Sequence, residues 1–336
     1  MIKESIAKVV KKENLTEEEA VGAMREIMGG TATPAQIASF ITALRMKGET
    51  VEEITGCAKV MCEKATRINI DREIIVDTCG TGGDESHTFN ISTATAFVAA
   101  GAGLTVAKHG NRSVSSQCGS ADVLVALGAK IEIAPEKVKE CIEKIGIGFL
   151  FAPLFHSAMK NAIGPRREIG IRTIFNILGP LTNPAGAKVQ LLGVYNPDLT
   201  EPLAMVLRNL GSKSAFVVYG EGNFDEISIT GRTKISQLEN GEVQNYYIQP
   251  EDFGLKRANL EDIKGGDATK NAQIIIELLK EERGPKQDVV LLNSAAVFIA
   301  AGKAKTFEEG IEIGRRSIES GSALQKLEQL IKMTNA

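Results

Sequence analysis

What this chain lacks narrows its function before any motif is read. Its five cysteines, Cys57, Cys62, Cys79, Cys118 and Cys141, form no Cys-x-x-Cys pair and no zinc-finger spacing. Free thiols in a reducing compartment are therefore expected, mostly as small buried hydrophobes, rather than a disulfide frame. The longest apolar runs, such as Ala295 to Ala301, fall far short of the roughly 20 residues that span a bilayer. Met1-Ile2-Lys3-Glu4 has no apolar centre of a signal peptide, so a cytoplasmic protein with no membrane partner is expected. With a net charge of −3, a pI near 5.9 and no lysine-rich tail or aromatic-interleaved basic stripe, the chain is not expected to bind nucleic acid. Standard nucleotide motifs are missing too. Gly80-Thr81-Gly82 continues as Gly83-Asp84-Glu85, which breaks G-x-G-x-x-G at its last glycine, and no G-x-x-x-x-G-K-[ST] occurs.

What is present is an ordinary globular composition, 43% hydrophobic and 24% charged over 336 residues, enough for about two domains. The first seventy residues carry three helix starts of one design. Thr16-Glu17-Glu18-Glu19, Thr33-Pro34-Ala35-Gln36 and Thr50-Val51-Glu52-Glu53 each place a threonine three residues before a Glu or Gln, followed by apolar residues at helical spacing. The spacing predicts a small helical bundle whose apolar stripes cover the larger domain, meet a second copy, or both. From Ile74 short β-branched runs alternate with glycine-rich loops and longer helices, the pattern of a mostly parallel α/β sheet. Candidate strands are 74–76, 104–107, 131–133, 149–151, 189–194, 215–219 and 226–230, and residues 232–249 around Asn240-Gly241 form a hairpin pattern. Leu154 to Ile169 is expected to be one helix, before a proline-punctuated turn through Pro180 and Pro184. The expected organisation is a small all-helical domain at 1–70, joined by 153–182, plus a larger α/β domain at 71–152 and 183–336 with a mostly parallel central sheet flanked by helices.

Residues 76–128 organise the rest. An apolar run empties into Gly80-Thr81-Gly82-Gly83-Asp84, where the backbone can turn tightly and approach a bound group. Asn90-Ile91-Ser92-Thr93 then opens a small-residue helix, clustering hydroxyls and an amide at the end where unpaired N–H groups attract anions. A second run delivers Lys108-His109-Gly110-Asn111-Arg112-Ser113-Val114-Ser115-Ser116, and Ser120 starts another helix. Any one of these is an ordinary turn. Together they supply donors suited to phosphate oxygens.

Asp225-Glu226 precedes a candidate strand; such a pair is often merely solvated, yet adjacent carboxylates also suit magnesium, which completes its octahedron with waters and phosphates. Arg166-Arg167 is surface charge or a fork for a carboxylate ligand. His109 and His156 are packed rings, substrate-facing groups or acid/base groups.

The segments GTGGD at 80–84, TFNIST at 88–93, KHGNRSVSSQCGSADVL at 108–124, FAPLFHSAMK at 151–160, RTIFNILGPLTNPA at 172–185 and DEIS at 225–228 resemble the anthranilate phosphoribosyltransferase family of tryptophan biosynthesis. The similarity runs over nearly the whole chain. It implies transfer of the phosphoribosyl group of 5-phosphoribosyl 1-diphosphate to anthranilate, with Mg2+, two ions per subunit, in a homodimer built through the helical domain. Carried onto matching positions, Gly80, Gly83, Asp84, Thr88, Asn90, Ile91, Ser92, Thr93, Lys108, His109, Gly110, Asn111, Arg112, Ser113, Val114, Ser115, Ser116 and Ser120 would hold the donor. Ser92, Asp225 and Glu226 would serve magnesium, and Gly80, Asn111, Arg166 and His156 would contact anthranilate. Lys108 and His109 are the candidates for a catalytic group, with neither assigned. The related pyrimidine nucleoside phosphorylases are the alternative enzyme, sharing the architecture without the GTGGD and KHGNRS pairing.

Overall fold

The computed structural model describes residues 1–83, 87–113 and 117–336. Four helices come first: α1 (Ile2–Val10), α2 (Glu17–Met28), α3 (Pro34–Lys47) and α4 (Val51–Lys64). Each of the three threonines accepts from the backbone N–H three residues on, while Glu19, Gln36 or Glu53 reaches back to the threonine N–H. Two donors at each start are thus satisfied locally, which is why these boundaries are written so plainly. Glu53 does more. Wholly buried, it accepts from Leu15 N at 2.9 Å and pairs with Lys47 Nζ at 2.9 Å, tying the α1–α2 connection to the α3–α4 connection.

The remainder builds a seven-stranded sheet. In chain order its elements are β1 (Val76–Gly80), α5 (Ile91–Gly101), β2 (Val106–Gly110), α6 (Ser120–Ala126), α7 (Pro135–Ile145) and β3 (Ile147–Phe151). Then follow α8 (Ala152–Phe155), α9 (Lys160–Ile169), α10 (Phe175–Leu178), β4 (Val189–Gly193), α11 (Thr200–Asn209), β5 (Ser214–Gly220), β6 (Thr233–Glu239) and β7 (Glu242–Ile248). Helices α12 (Ala268–Leu279), α13 (Pro285–Ala300), α14 (Phe307–Glu319) and α15 (Ser322–Asn335) close the chain. The strand order is β3-β2-β1-β4-β5-β6-β7, parallel through β5 and antiparallel in the last two pairs. Asn240 and Gly241 both take positive φ, 52° and 82°, the two-residue turn whose twist suits a hairpin.

The two faces of the sheet feed two cores by simple alternation. Leu191, Phe216 and Val218 join α5 and α12–α15 in one cluster, whereas Leu192, Ala215 and Val217 join a second. That second cluster runs from Ile2 to Leu238 and includes Ala162, Ile174, Phe175 and Leu178 beside the side chains of α1–α4. The helical bundle therefore buries its stripes on α9, α10 and α11, and α11 in turn packs on β5 and β6.

Four expectations need correction. Residues 131–133 are not a strand. Ile131 is buried against the core in the link to α7, so burial rather than pairing accounts for its β-branched side chain. Residues 226–230 are not a strand either, because side chains take the N–H groups a ladder would need: Ile227 N donates to Asn293 Oδ1, Ser228 N to Thr233 Oγ1 and Thr230 N to Ser228 Oγ. The helix expected from Leu154 to Ile169 is broken into α8, a 3-10 turn at Ser157–Met159 and α9, parting at His156, whose φ of −118° and ψ of 55° leave the helical region. Strands β1 and β2 also run on to Gly80 and Gly110, so Lys108 and His109 lie within a strand rather than in a loop.

Candidate active site

The C-terminal ends of β1, β2, β4 and β5 meet at one edge of the sheet, where open α/β folds bind ligands. Each of these strands ends in glycine. At two of them the reason is close approach. A Cβ on Gly193 would lie 1.5 Å from the Asp225 carbonyl oxygen, and one on Gly80, its register partner in β1, 2.4 Å from Asp225 Oδ2. The turn carrying Asp225-Glu226 is thus seated flat on two neighbouring strands. From there Asp225 Oδ2 accepts from Gly82 N at 3.0 Å, and Glu226 Oε1 accepts from Ser92 N at 3.0 Å in the first turn of α5. The acidic doublet, more than 130 residues away in sequence from both the glycine turn and the helix start, is joined to each by a direct hydrogen bond.

Lys108 reaches the same place from β2. It is buried, and its ammonium donates to Thr78 O and, at 3.2 Å, to Ser92 Oγ. Burial lowers its pKa, against the opposing pull of Asp77, Cys79, Glu226 and Asp225. Asp77 is completely buried, and desolvation pushes its carboxyl up to about 6 despite Lys108.

Asn90 does not cap α5 with its side chain; the first N–H groups of the helix donate instead to Phe89 O from Ile91, to Glu226 Oε1 from Ser92 and to Asn90 O from Thr93 and Ala94. The Asn90 side-chain amide is spent on Cys118 O at 3.1 Å and on Asn271 Nδ2 at 3.0 Å. Ile91 and Thr93 are buried, and their N–H groups are bonded within the chain, so their part in a site is to support the turn. Thr88 forms an isolated bridge with Lys264. After β2, Asp122 gathers the loop, accepting from Ser113 N at 3.1 Å, Gly119 N at 2.9 Å and Arg112 Nη1 at 3.0 Å, while Asn111 Oδ1 holds Arg112 N at 2.8 Å and Ser120 Oγ donates to Asn111 O at 3.4 Å. Gly110 sits beneath this loop, where a Cβ would meet Ser120 Oγ. Asp84, Val114, Ser115 and Ser116 lie outside the described residues.

On the side of the helical segment, the rings of His109 and His156 lie 5.1 Å apart. Both are buried, and desolvation depresses their pKa values to about 3 and about 4, so both are neutral near pH 7. Arg166 is half-buried over the ring of Phe175 at 5.0 Å, and burial lowers its pKa. Among the described residues its guanidinium forms no hydrogen bond that ties it to Gly80 or Asn111, whereas Arg167 is exposed.

Three contributors escaped the sequence reading. Arg172 donates to Gly83 O and stacks over Tyr195 at 4.6 Å, linking the glycine turn to the segment that crosses from the helical side. Its only signal was its place in a quoted motif, as for Asp122. Asn271, 181 residues from Asn90, left no local trace.

These features, a parallel α/β sheet with an anion cradle and an acidic doublet beside a helical bundle, define a glycosyl-group transferase. A family description of this kind matches twice: the α/β domain of the glycosyl transferase family over residues 72–324 and its helical bundle domain over residues 3–65. The chain is 58% identical to the anthranilate phosphoribosyltransferase of Acetivibrio thermocellus, over 100% of this chain and 97% of that one. It is 56% identical to that of Geobacter sulfurreducens over the full length of both. Among solved structures, the Thermus thermophilus enzyme superposes with a TM-score of 0.94 at 44% identity, covering 99% of each chain. The Saccharomyces cerevisiae enzyme in complex with PRPP and Mg does so with a TM-score of 0.90 at 28% identity, covering 99% of this chain and 98% of that one. The chain belongs to the anthranilate phosphoribosyltransferase family, which sets aside the nucleoside phosphorylase alternative.

Proposed function

We infer that the chain transfers the 5-phosphoribosyl group of 5-phosphoribosyl 1-diphosphate to the amine of anthranilate, giving N-(5-phosphoribosyl)anthranilate and pyrophosphate, the second step of tryptophan biosynthesis from chorismate. The observation that carries this reading is the acidic doublet bonded at once to the glycine turn and to the start of α5. A diphosphate group laid there meets the Ser92 hydroxyl and carboxylates able to share a cation with it.

The residues suit Mg2+. Asp225, Glu226 and the Ser92 hydroxyl are hard oxygen donors, too few to enclose the ion, as expected where substrate phosphates and waters fill the remaining positions. The chemistry magnesium supplies when bound is charge neutralisation on the diphosphate leaving group. We assign two ions per subunit.

The chain's own groups do the rest. Breaking the C1–O bond leaves positive charge on the ribose and negative charge on the diphosphate. We assign the start of α5, Lys108 and His109 at the end of β2, the loop from Gly110 to Ser113 and Ser120 to the side where that negative charge develops. Lys108 donates to Ser92 Oγ and so fixes the direction of its hydroxyl. Arg166, His156, Asn111 and Gly80 are assigned to anthranilate, the guanidinium taking its carboxylate. A histidine held near 3 is a poor proton acceptor at neutral pH, so His109 is given no general-base role. Anthranilate's amine is already neutral, and its placement near C1 supplies the acceleration.

We assign the helical unit to 1–70 with 153–182, supported by the core those segments share, and the donor-binding unit to 71–152 and 183–336. A homodimer through the helical unit is supported by Val10 and Met46, which expose 66% and 79% of their surface on α1 and α3. We place the enzyme in the cytoplasm; among the described residues no helix is long and apolar enough to cross a membrane. Incubation of the purified protein with anthranilate, 5-phosphoribosyl 1-diphosphate and magnesium should consume anthranilate fluorescence. Unchanged fluorescence at every magnesium concentration would overturn the reading.

A further inference from the structure

The sheet contains a seam. β1 pairs with β4 over five register positions, from Val76 with Val189 to Gly80 with Gly193, and β2 pairs with β3 over five more. Between β1 and β2, the two strands that lead into the candidate donor loops, the ladder stops after one position, Val76 with Val106. Side chains take over beyond it. Asp77 Oδ1 accepts from His109 N at 3.1 Å, and Lys108 Nζ donates to Thr78 O. Asn183, on the segment returning from the helical side, donates through Nδ2 to Asp77 Oδ2 and to Ala107 O, both at 2.8 Å, while its Oδ1 accepts from Ala185 N at 2.8 Å.

This arrangement costs stability. A fully buried carboxylate is expensive even when paired, and an apolar filling of the same volume is often neutral or better. A ladder, however, fixes neighbouring strands at about 4.8 Å through backbone alone, whereas beyond Val76 the hold of β1 on β2 depends on the side chains of Asp77, Lys108 and Asn183. The seam also divides the site. The glycine turn and acidic doublet sit on the β1–β4 block; Lys108 to Ser113 and the His109 ring sit on the β2–β3 block; Asn183 belongs to the crossover that follows Arg166 and His156.

We propose that Asp77 and Asn183 form a positioning pair that fixes the β2–β3 block and the crossover against the β1–β4 block, and so sets the distance between the bound donor's C1 and the acceptor's amine. The proposal rests on the transferase reading above. Each substrate keeps its own contacts when the pair is broken, so the loss falls on alignment.

The test compares wild type, Asp77→Asn, Asn183→Ala and the double variant. The wild type must first show transfer; its failure would overturn the assignment of function itself, and this proposal with it. With an active wild type, each single variant should lower kcat about ten- to a hundredfold, with KM for either substrate changed by no more than about threefold. The double variant should be no slower than the slower single one, since both substitutions break the same bond. If Asp77→Asn does not fold, Asn183→Ala alone decides, because Asn183 is only partly buried. Variants that melt earlier yet keep wild-type kcat per folded molecule would reduce the pair to a structural contact, and kcat losses that multiply in the double variant would show two independent roles. Either result overturns the proposal.

Discussion

Replacing Gly193 with alanine isolates the closest approach in the site. Neither Gly193 nor Gly80 has positive φ, so alanine is compatible with the backbone at both positions, and loss of unfolded-chain freedom would by itself favour it by about 0.4–1 kcal/mol. The obstacle is the acidic turn. At Gly193 the new Cβ would sit 1.5 Å from a carbonyl oxygen of Asp225, so the turn's backbone must move by roughly 2 Å to reach ordinary contact distance. At Gly80 the obstacle is Asp225 Oδ2, 2.4 Å away, and rotation of one side chain by about 1 Å relieves it. Overpacking against backbone costs about 1–3 kcal/mol or somewhat more. With an unfolding entropy near 2.1 cal/mol/K per residue, this 336-residue chain loses roughly 1.4 °C per kcal/mol. Gly193→Ala should therefore melt about 4 °C lower, and Gly80→Ala about 1–2 °C lower, because it gives up mainly the bond from Gly82 N to Asp225. Both should raise the magnesium concentration for half-maximal activity about tenfold, equivalent to about 1.4 kcal/mol in cation affinity. Thermal unfolding and a magnesium titration of the transfer rate suffice. A Gly193→Ala protein that melts within a degree of wild type with an unchanged magnesium requirement would refute the claim that the turn is seated on these strands.

Asp225→Asn combined with Glu226→Gln should lower turnover at least about tenfold and raise the magnesium requirement; unaltered magnesium dependence would remove both from the cation site. Arg166→Ala should raise KM for anthranilate about ten- to a hundredfold with donor KM nearly constant, and the opposite split would move Arg166 to the phosphate side. Glu53→Ala breaks a buried ion pair and a capping box together, so a loss of about 3 kcal/mol is expected in denaturant unfolding. For His109 and His156, folded pKa values of about 3 and about 4 lie below the unfolded value near 6.5. The unfolded chain then binds more protons in that window, and stability falls as pH is lowered from about 6.5 toward 4. Asp77, raised to about 6, opposes this, since its contribution is present below about 3.9 and lost as pH rises through 6. His156→Gln should shrink the drop in melting temperature between about pH 7.5 and 5, and an undiminished drop would show that the ring is not held neutral.

The helix starts of the bundle were legible because a capping box is complete within four residues. The same holds for the Asn240-Gly241 turn, whose φ requirements fall on two adjacent positions. Ends of the central strands were not, since Asp77, Lys108 and His109 interrupt the apolar runs although the structure buries all three. Burial of polar groups depends on partners such as Asn183, far away in sequence, and no local pattern announces them. Conversely, residues 131–133 and 226–230 carry β-branched residues for packing, and in 226–230 the backbone N–H groups find side-chain partners outside any ladder. Of the site, the glycine turn and the acidic doublet each stood out alone. Their junction through Gly82 and Ser92, and the parts played by Arg172 and Asn271, needed the three-dimensional arrangement.

The core shared by the helical bundle and the sheet bears on how the molecule is made. The bundle leaves the ribosome before the sheet, but the apolar cluster it belongs to is complete only when Leu238 has been translated, about 170 residues after α4 ends. At roughly 5–20 residues per second, the nascent bundle spends about 10–35 s before the core it shares is complete. Slow synthesis, or truncation before β6, should therefore leave a species that chaperones hold or that aggregates, in place of a free-standing helical domain.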